Sequence, residues 1–170
     1  MIKENVEEAL NRQVNRELYS SYLYLSMAAY FESINLKGFA NWMRVQFQEE
    51  NFHAMKMFDY VIGRGGRAKL LSIEAPPMDW DSPLKIFEHT YEHEKKVTGL
   101  INNLVKLASS EEDYATYNML QWYVKEQVEE EASANEILEK LKMVGNDKNA
   151  LLTLDREFAQ RIFKPPTVTE

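Results

Sequence analysis

Gln48-Glu49-Glu50-Asn51-Phe52-His53 lies in the middle of a long stretch of helical periodicity. Glu50 shares a heptad position with Leu36, Met43 and Met57, and Ala40, Phe47, Ala54 and Val61 flank that line. Glu50 and His53 are three residues apart, so they share a helix face. The stripe expected to face a core therefore carries a carboxylate and an imidazole. A buried charge without a partner is costly and needs an explanation. Taken alone, Glu-x-x-His also has a bland reading, a core histidine satisfied by hydrogen bonds, and the rest of the chain has to decide.

Outward from this stretch, a first helix is predicted over 6–33. Its stripe reads Leu10, Val14, Leu18, Ser21, Leu25, Ala28, with Tyr24 and Phe31 beside it and Glu17 on the heptad position of Leu10, Tyr24 and Phe31. The short connection Ile34-Asn35-Leu36-Lys37-Gly38 sends the next helix back antiparallel. That helix, over 38–63, stops at Gly65-Gly66. The stretch from Gly65 to Ser82 holds Pro76-Pro77 and little helical pattern. Extended, it reaches roughly 59 Å at ~3.3 Å per residue, against roughly 41 Å for a helix of about 27 residues. It can cross the whole bundle and start a third helix parallel to the second, where a hairpin would need far less chain.

Ser82-Pro83, an N-cap followed by proline at the first helical position, opens a third helix over 83–108. Its line is Phe87, Glu94, Ile101, Ala108, flanked by Tyr91, Thr98 and Val105. A fourth helix over 113–144 carries Leu120, Tyr123, Gln127, Glu130, Ala134, Ile137, Leu141 and Val144 and stops at Gly145. A shorter fifth helix is predicted over 147–162, with Leu151, Leu154, Phe158 and Ile162 on one side and Pro165-Pro166 closing it. The fold class is all-α: a four-helix bundle with a long crossover and a short fifth helix, in one domain over 1–170.

All four long helices thus place acid or amide groups on the buried stripe near mid-helix, at one height whichever way each helix runs. Glu17, Glu50, Glu94 and Glu130 bring four negative charges into the core, and no Lys or Arg lies on these stripes near them. Without a counter-charge the group must protonate or unfold the bundle. Two divalent cations balance four carboxylates. Carboxylate oxygens with one imidazole suit iron, manganese or zinc and do not suit Cu(I). This convergence turns the reading of His53 from core histidine to ligand.

Bulk properties agree. The chain has 170 residues, enough for a full core, and is 28% charged and 45% hydrophobic. A net charge of −7 argues against nucleic acid and suits a cation-handling protein. The absence of cysteine excludes disulfides, zinc–thiolate sites and iron–sulfur clusters. No apolar run approaches the ~18 residues of a membrane span, and the polar start Met1-Ile2-Lys3-Glu4-Asn5 is no signal peptide, so a cytoplasmic location is expected.

Arg16-Glu17-Leu18-Tyr19-Ser20-Ser21-Tyr22-Leu23-Tyr24, Gln48-Glu49-Glu50-x-x-His53-Ala54, Tyr91-x-His93-Glu94 and Leu120-Gln121-Trp122-Tyr123-x-x-Glu126-Gln127-x-Glu129-Glu130-Glu131 form a highly specific set. With them the chain resembles the haem-free ferritins of bacteria and archaea, over essentially its whole length. The resemblance implies a ferroxidase centre. Glu17, Glu50 and His53 would bind one iron, and Glu50 would bridge to a second bound also by Glu94 and Glu130. Gln127 would hold a water or peroxide by hydrogen bonding, and Tyr24 would stand behind the ligands. Glu49, Glu126 and Glu129 match a third iron site; their other reading is a solvated acidic face.

The family further implies iron storage: Fe(II) oxidised by O2 or H2O2 and deposited as ferric mineral inside a cage of 24 identical chains. Haem is not expected. Bacterioferritins have a second Glu-x-x-His where this chain has Gln127-x-x-Glu130, and a haem-binding Met where it has Asn51. Rubrerythrins need cysteines. His89 and His93 lie off the Glu94 line, and a surface role is expected for both. The apolar crossover residues Leu70, Leu71 and Ile73 are expected against a neighbouring chain across a two-fold axis. Two rival readings remain: a di-iron oxidase or oxygenase acting on an organic substrate, which would need a pocket where Tyr24, Phe47 and Tyr123 stand, and a structural helical assembly protein that binds no metal.

Overall fold

The computed structural model describes residues 1–165, and Pro166, half of the pair expected to close the fifth helix, lies outside them. The described residues form five helices: α1 Glu4–Ser33, α2 Lys37–Gly63, α3 Pro83–Ser110, α4 Tyr114–Val144 and α5 Lys148–Phe158. Among the described residues there is no strand, and no helix is long and apolar enough to cross a membrane.

Local chemistry sets the ends. Ser82 Oγ accepts from Lys85 N–H with Pro83 at the first turn of α3, and the Asp113 and Asp147 side chains cap α4 and α5. After α2, Gly65 takes φ +74° and Gly66 N–H reaches back 3.0 Å to the Val61 carbonyl, a left-handed closure open to glycine without strain.

Side-chain pairs fix the directions. Across α1 and α3, Phe31 meets Phe87, Thr90 bonds Met27, and Ser20 lies 2.8 Å from His93, so numbers rise in one helix as they fall in the other. Across α2 and α4, Gln46 bonds Glu130, His53 meets Tyr123, and Tyr60 bonds Thr116. Each pair is antiparallel, so α3 runs parallel to α2 and the crossover spans the bundle. It is strapped along α1: Asn11 bonds the backbone of Arg67 and Lys69, Asn15 that of Leu71 and Ser72, Ser26 that of Pro77, and Tyr30 that of Trp80.

Apolar packing forms two clusters. One gathers Phe31, Phe39, Trp42, Phe87, Leu138 and Phe158; the other gathers Leu10, Val14, Met57, Ile101, Leu120 and Tyr123. Glu17, Glu50, Glu94 and Gln127 lie between them along their helices, where the apolar lines break.

Two expectations are corrected. The buried line of α1 is Leu10, Val14, Glu17, Ser21, Tyr24, Ala28, Phe31, while Leu25 is 37% exposed and faces the crossover. Heptad spacing puts Leu18 and Leu25 one column off that line. The fifth helix ends at Phe158, and Ile162 is 68% exposed. There Asn41 Nδ2 binds the carbonyls of Phe158 and Arg161 at 3.0 and 2.9 Å, taking acceptors that a longer helix would have used.

Candidate metal centre

Glu17 on α1 and Glu50 and His53 on α2 bring two carboxylate oxygens and a ring nitrogen within 4.8 Å of one another. All three side chains are buried, Glu17 at 1% and Glu50 at 2% exposure. His53 Nδ1 stands 3.5 Å from Glu50 Oε2. Tyr123 O–H donates to the His53 carbonyl at 2.7 Å, and the Trp122 ring packs edge-on at 5.3 Å from the imidazole. Gln13 Nε2 donates to Glu17 Oε1 at 2.8 Å, whereas Glu17 Oε2 is buried with no hydrogen-bond partner. Such an orphaned acceptor is rare in a folded core and is what a metal ligand leaves when only protein atoms are counted. The donor set, hard oxygens with one imidazole and no sulfur, fits iron.

Glu94 and Glu130 are not within that cluster. The Glu94 carboxylate accepts from Tyr24 O–H and, at 3.2 Å, from Gln127 Nε2, which also reaches the Glu94 carbonyl and Thr98 Oγ1. Glu130, partly buried, accepts from Gln46 Nε2 at 2.9 Å. Each acid turns to its own neutral donor, which separates the negative charges. They still feel one another. Burial, then Glu94, Glu17 and Glu130, hold the Glu50 carboxyl well above the ordinary range. Burial pushes Glu94 up to about 7 against the donors from Tyr24 and Gln127, and burial with Glu94 and Glu49 pushes Glu130 up to about 8. Burial also raises the Tyr24 phenol, which stays a proton donor. Metal cations would release those protons and balance the charges.

Glu49, Glu126 and Glu129 line one cavity of about 300 Å³ with His53 and Glu130. Glu129 is exposed and Glu126 partly buried. Glu49 has a counter-charge that the helical stripes did not reveal: Arg161, from the chain after α5, donates to it at 2.7 Å. The cavity is acidic, and the space beside Glu17 and Glu50 is taken by Tyr24 and Tyr123, both buried. Neither is the setting of an organic substrate.

Reasoning from the sequence missed the amide donors Gln13 and Gln46. Gln13 precedes its partner Glu17 by four residues, and that one-turn spacing was the available signal; Gln46 donates to Glu130 on another helix, which no local spacing announces. It also placed the two histidines of α3 wrongly. His93 is packed against Tyr19 and Tyr24, and burial lowers it to about 4; His89 Nδ1 accepts from Trp80 Nε1 at 3.1 Å. Both fasten neighbouring elements to α3 and neither is a free surface group.

A family model described as "Ferritin-like domain" matches residues 7–144. A bacterial non-heme ferritin of Bacteroides fragilis is 46% identical over 161 residues, 95% of this chain and 100% of the relative. One from Staphylococcus aureus is 38% identical over 163 residues, 96% of this chain and 98% of its own. Among solved structures, an open pore ferritin from the hyperthermophilic archaeon Archaeoglobus fulgidus superposes with a TM-score of 0.95 at 65% identity, covering 95% of this chain and 100% of that one. With the buried Glu17–Glu50–His53 cluster between two apolar layers of a crossed-over bundle, these likenesses lead to one conclusion: the chain belongs to the ferritin family, among its non-haem members.

Proposed function

We propose that the chain stores iron and is a ferroxidase, with Fe(II) as substrate and a ferric mineral as product inside a homo-oligomeric cage. The observation that carries this reading is the buried Glu17–Glu50–His53 cluster with its unpaired Glu17 oxygen. Glu17 and His53 hold the first Fe(II), Glu50 bridges, and Glu94 and Glu130 hold the second. The Tyr24 phenol orients the Glu94 carboxylate, and the Gln127 amide offers N–H to oxidant or water. Two Fe(II) together give two electrons, which with two protons reduce O2 to H2O2 or H2O2 to two waters. Glu49, Glu126 and Glu129 take a third ion on its way from the centre.

Assembly into a cage, of 24 chains by the ferritin resemblance, is part of the proposal. Leu70, Leu71 and Ile73 are 70%, 51% and 41% exposed in one chain, and the exposed Tyr22, Leu25 and Met78 line a groove between α1 and the same crossover. An apolar patch of this kind on an otherwise acidic chain suits a self-complementary contact across a two-fold axis. The chain's −7 charge suits a container for cations.

The test adds Fe(II) to iron-free protein in air and follows the ferric absorbance, with solution mass and retained iron measured on the same sample. Rapid oxidation and iron co-eluting with a large assembly are expected. Oxidation no faster than in buffer, with no iron retained, would remove the proposal.

A further inference from the structure

We propose that Arg161 is a tethered cation that occupies the acidic cavity beside the metal centre and leaves Glu49 when a metal ion enters. The proposal rests on the third-ion reading given above. Arg161 Nη2 donates to Glu49 Oε2 at 2.7 Å and to Gln46 Oε1 at 2.5 Å. The guanidinium carbon lies 4.3 Å from the centre of the Trp42 ring, and Nη1 reaches the Trp42 carbonyl at 3.3 Å.

The backbone tether is firm, and the head group borders the cavity. The Arg161 carbonyl is held by Asn41, and α5 just before it is docked by Phe158 in the apolar core and by Asp155, whose Oδ1 accepts from Gly38 and Phe39 N–H at 2.8 and 3.0 Å. The side chain itself is 25% exposed and faces the cavity that Glu126, Glu129 and Glu130 line, together with Lys164, which among the described residues forms no ion pair with any of these acids. A guanidinium on Glu49 Oε2 partly neutralises that carboxylate and repels a second cation, so the arginine and an incoming metal ion compete for one acid.

The competition is wired to the metal centre. Because Gln46 Oε1 accepts from Arg161, its amide N–H2 faces Glu130 and donates at 2.9 Å. When the guanidinium swings away, nothing fixes that amide, and Glu130 is freed to turn toward a cation. Arg161 is therefore a positioning residue that acts through Glu49 and Gln46.

The experiment titrates intact apo-assembly with Zn(II), which is redox-inert, by isothermal calorimetry, for the parent, Arg161→Met and Arg161→Lys. The parent is expected to bind a third, weakest ion per chain. Arg161→Met keeps an apolar stem on Trp42 and removes the charge. It should tighten that ion by about tenfold, equivalent to about 1.4 kcal/mol, leave the ion at Glu17 and His53 unchanged, and shift the ion at Glu130 by less than tenfold, through Gln46. Arg161→Lys keeps a cation near Glu49 and should return the affinity to within about threefold of the parent. If Arg161→Met does not assemble, Arg161→Gln, of similar reach and no charge, is read by the same criterion. A third ion bound equally well with and without the arginine overturns the proposal and leaves the third site standing. No third ion in either protein overturns both.

Discussion

Glu94→Gln should make the iron-free protein more stable at pH 8 while impairing its metal binding. Glu94 is 1% exposed, and burial raises its carboxyl from 4.5 to about 7. That gap is worth about 3 kcal/mol at ~1.4 kcal/mol for each pH unit. The sign follows from proton linkage. With its pKa raised on folding, Glu94 keeps its proton longer in the native state, so stability is fully present below about 4.5 and is lost as pH rises through about 7. Glutamine has no proton to lose. It does set an amide N–H2 against the Gln127 amide, which now donates to Glu94 at 3.2 Å. That mismatch costs about 1 kcal/mol at every pH and serves as the baseline. Between pH 5 and pH 8 the variant should therefore gain about 3 kcal/mol on the parent, or roughly 6–12 °C in Tm for a chain of this size. The assay is thermal unfolding of chelator-treated protein at both pH values, repeated with Zn(II). Added metal should raise the parent's Tm at pH 8 more than the variant's. An offset that is the same at pH 5 and pH 8, or a variant less stable than the parent at pH 8, would refute the reasoning.

Glu50→Ala should slow rapid Fe(II) oxidation by about a hundredfold or more, in stopped-flow absorbance, because it removes the carboxylate placed to touch both ions; oxidation at the parent rate would defeat the di-iron assignment. Zn(II) loading at pH 6 should release protons from the raised carboxyls Glu50, Glu94 and Glu130, and fewer at pH 9; pH-stat titration reads this, and release that does not fall with pH would contradict it. Gly38→Ala would put its Cβ 1.6 Å from the Asp155 carbonyl and push away the Asp155 cap on α2, a loss of roughly 2–4 kcal/mol visible as a lower Tm; an unchanged Tm would mean that α5 is not held there. Leu71→Glu with Ile73→Glu should reduce the solution mass seen by light scattering, and an unaltered mass would place the chain-to-chain contact elsewhere.

The helices were legible because their signals are local. Heptad spacing, Ser82-Pro83 and Gly65-Gly66 each act within a turn or two of chain. The crossover's direction was legible from length alone. What was not legible depends on contacts between distant segments. Asn11, Asn15, Ser26 and Tyr30 are unremarkable polar residues of α1 until the crossover backbone lies against them. The end of α5 is set by Asn41, more than a hundred residues earlier. The outward turn of Leu25 needed the exact column of the buried line, which a one-column error conceals.

The site was legible for a different reason: an acid on an apolar line violates burial, and four such violations at one height require a common cause. The structure adds what keeps the site from neutralising itself. Gln13, Gln46, Gln127 and Tyr24 are all neutral donors, and they bond Glu94, Glu130 and one oxygen of Glu17 without cancelling a charge. Lysine or arginine in those places would give paired acids and a core with no use for a metal ion. Among the described residues, no Lys or Arg forms an ion pair with Glu17, Glu50, Glu94 or Glu130, and of the two cations lining the neighbouring cavity, Arg161 and Lys164, the arginine is paired with Glu49 at the edge. The raised carboxyls are the consequence. On the proposed function, the iron-free bundle holds protons where it would hold metal, and gives up stability at neutral pH in exchange for a site whose charge cations would balance.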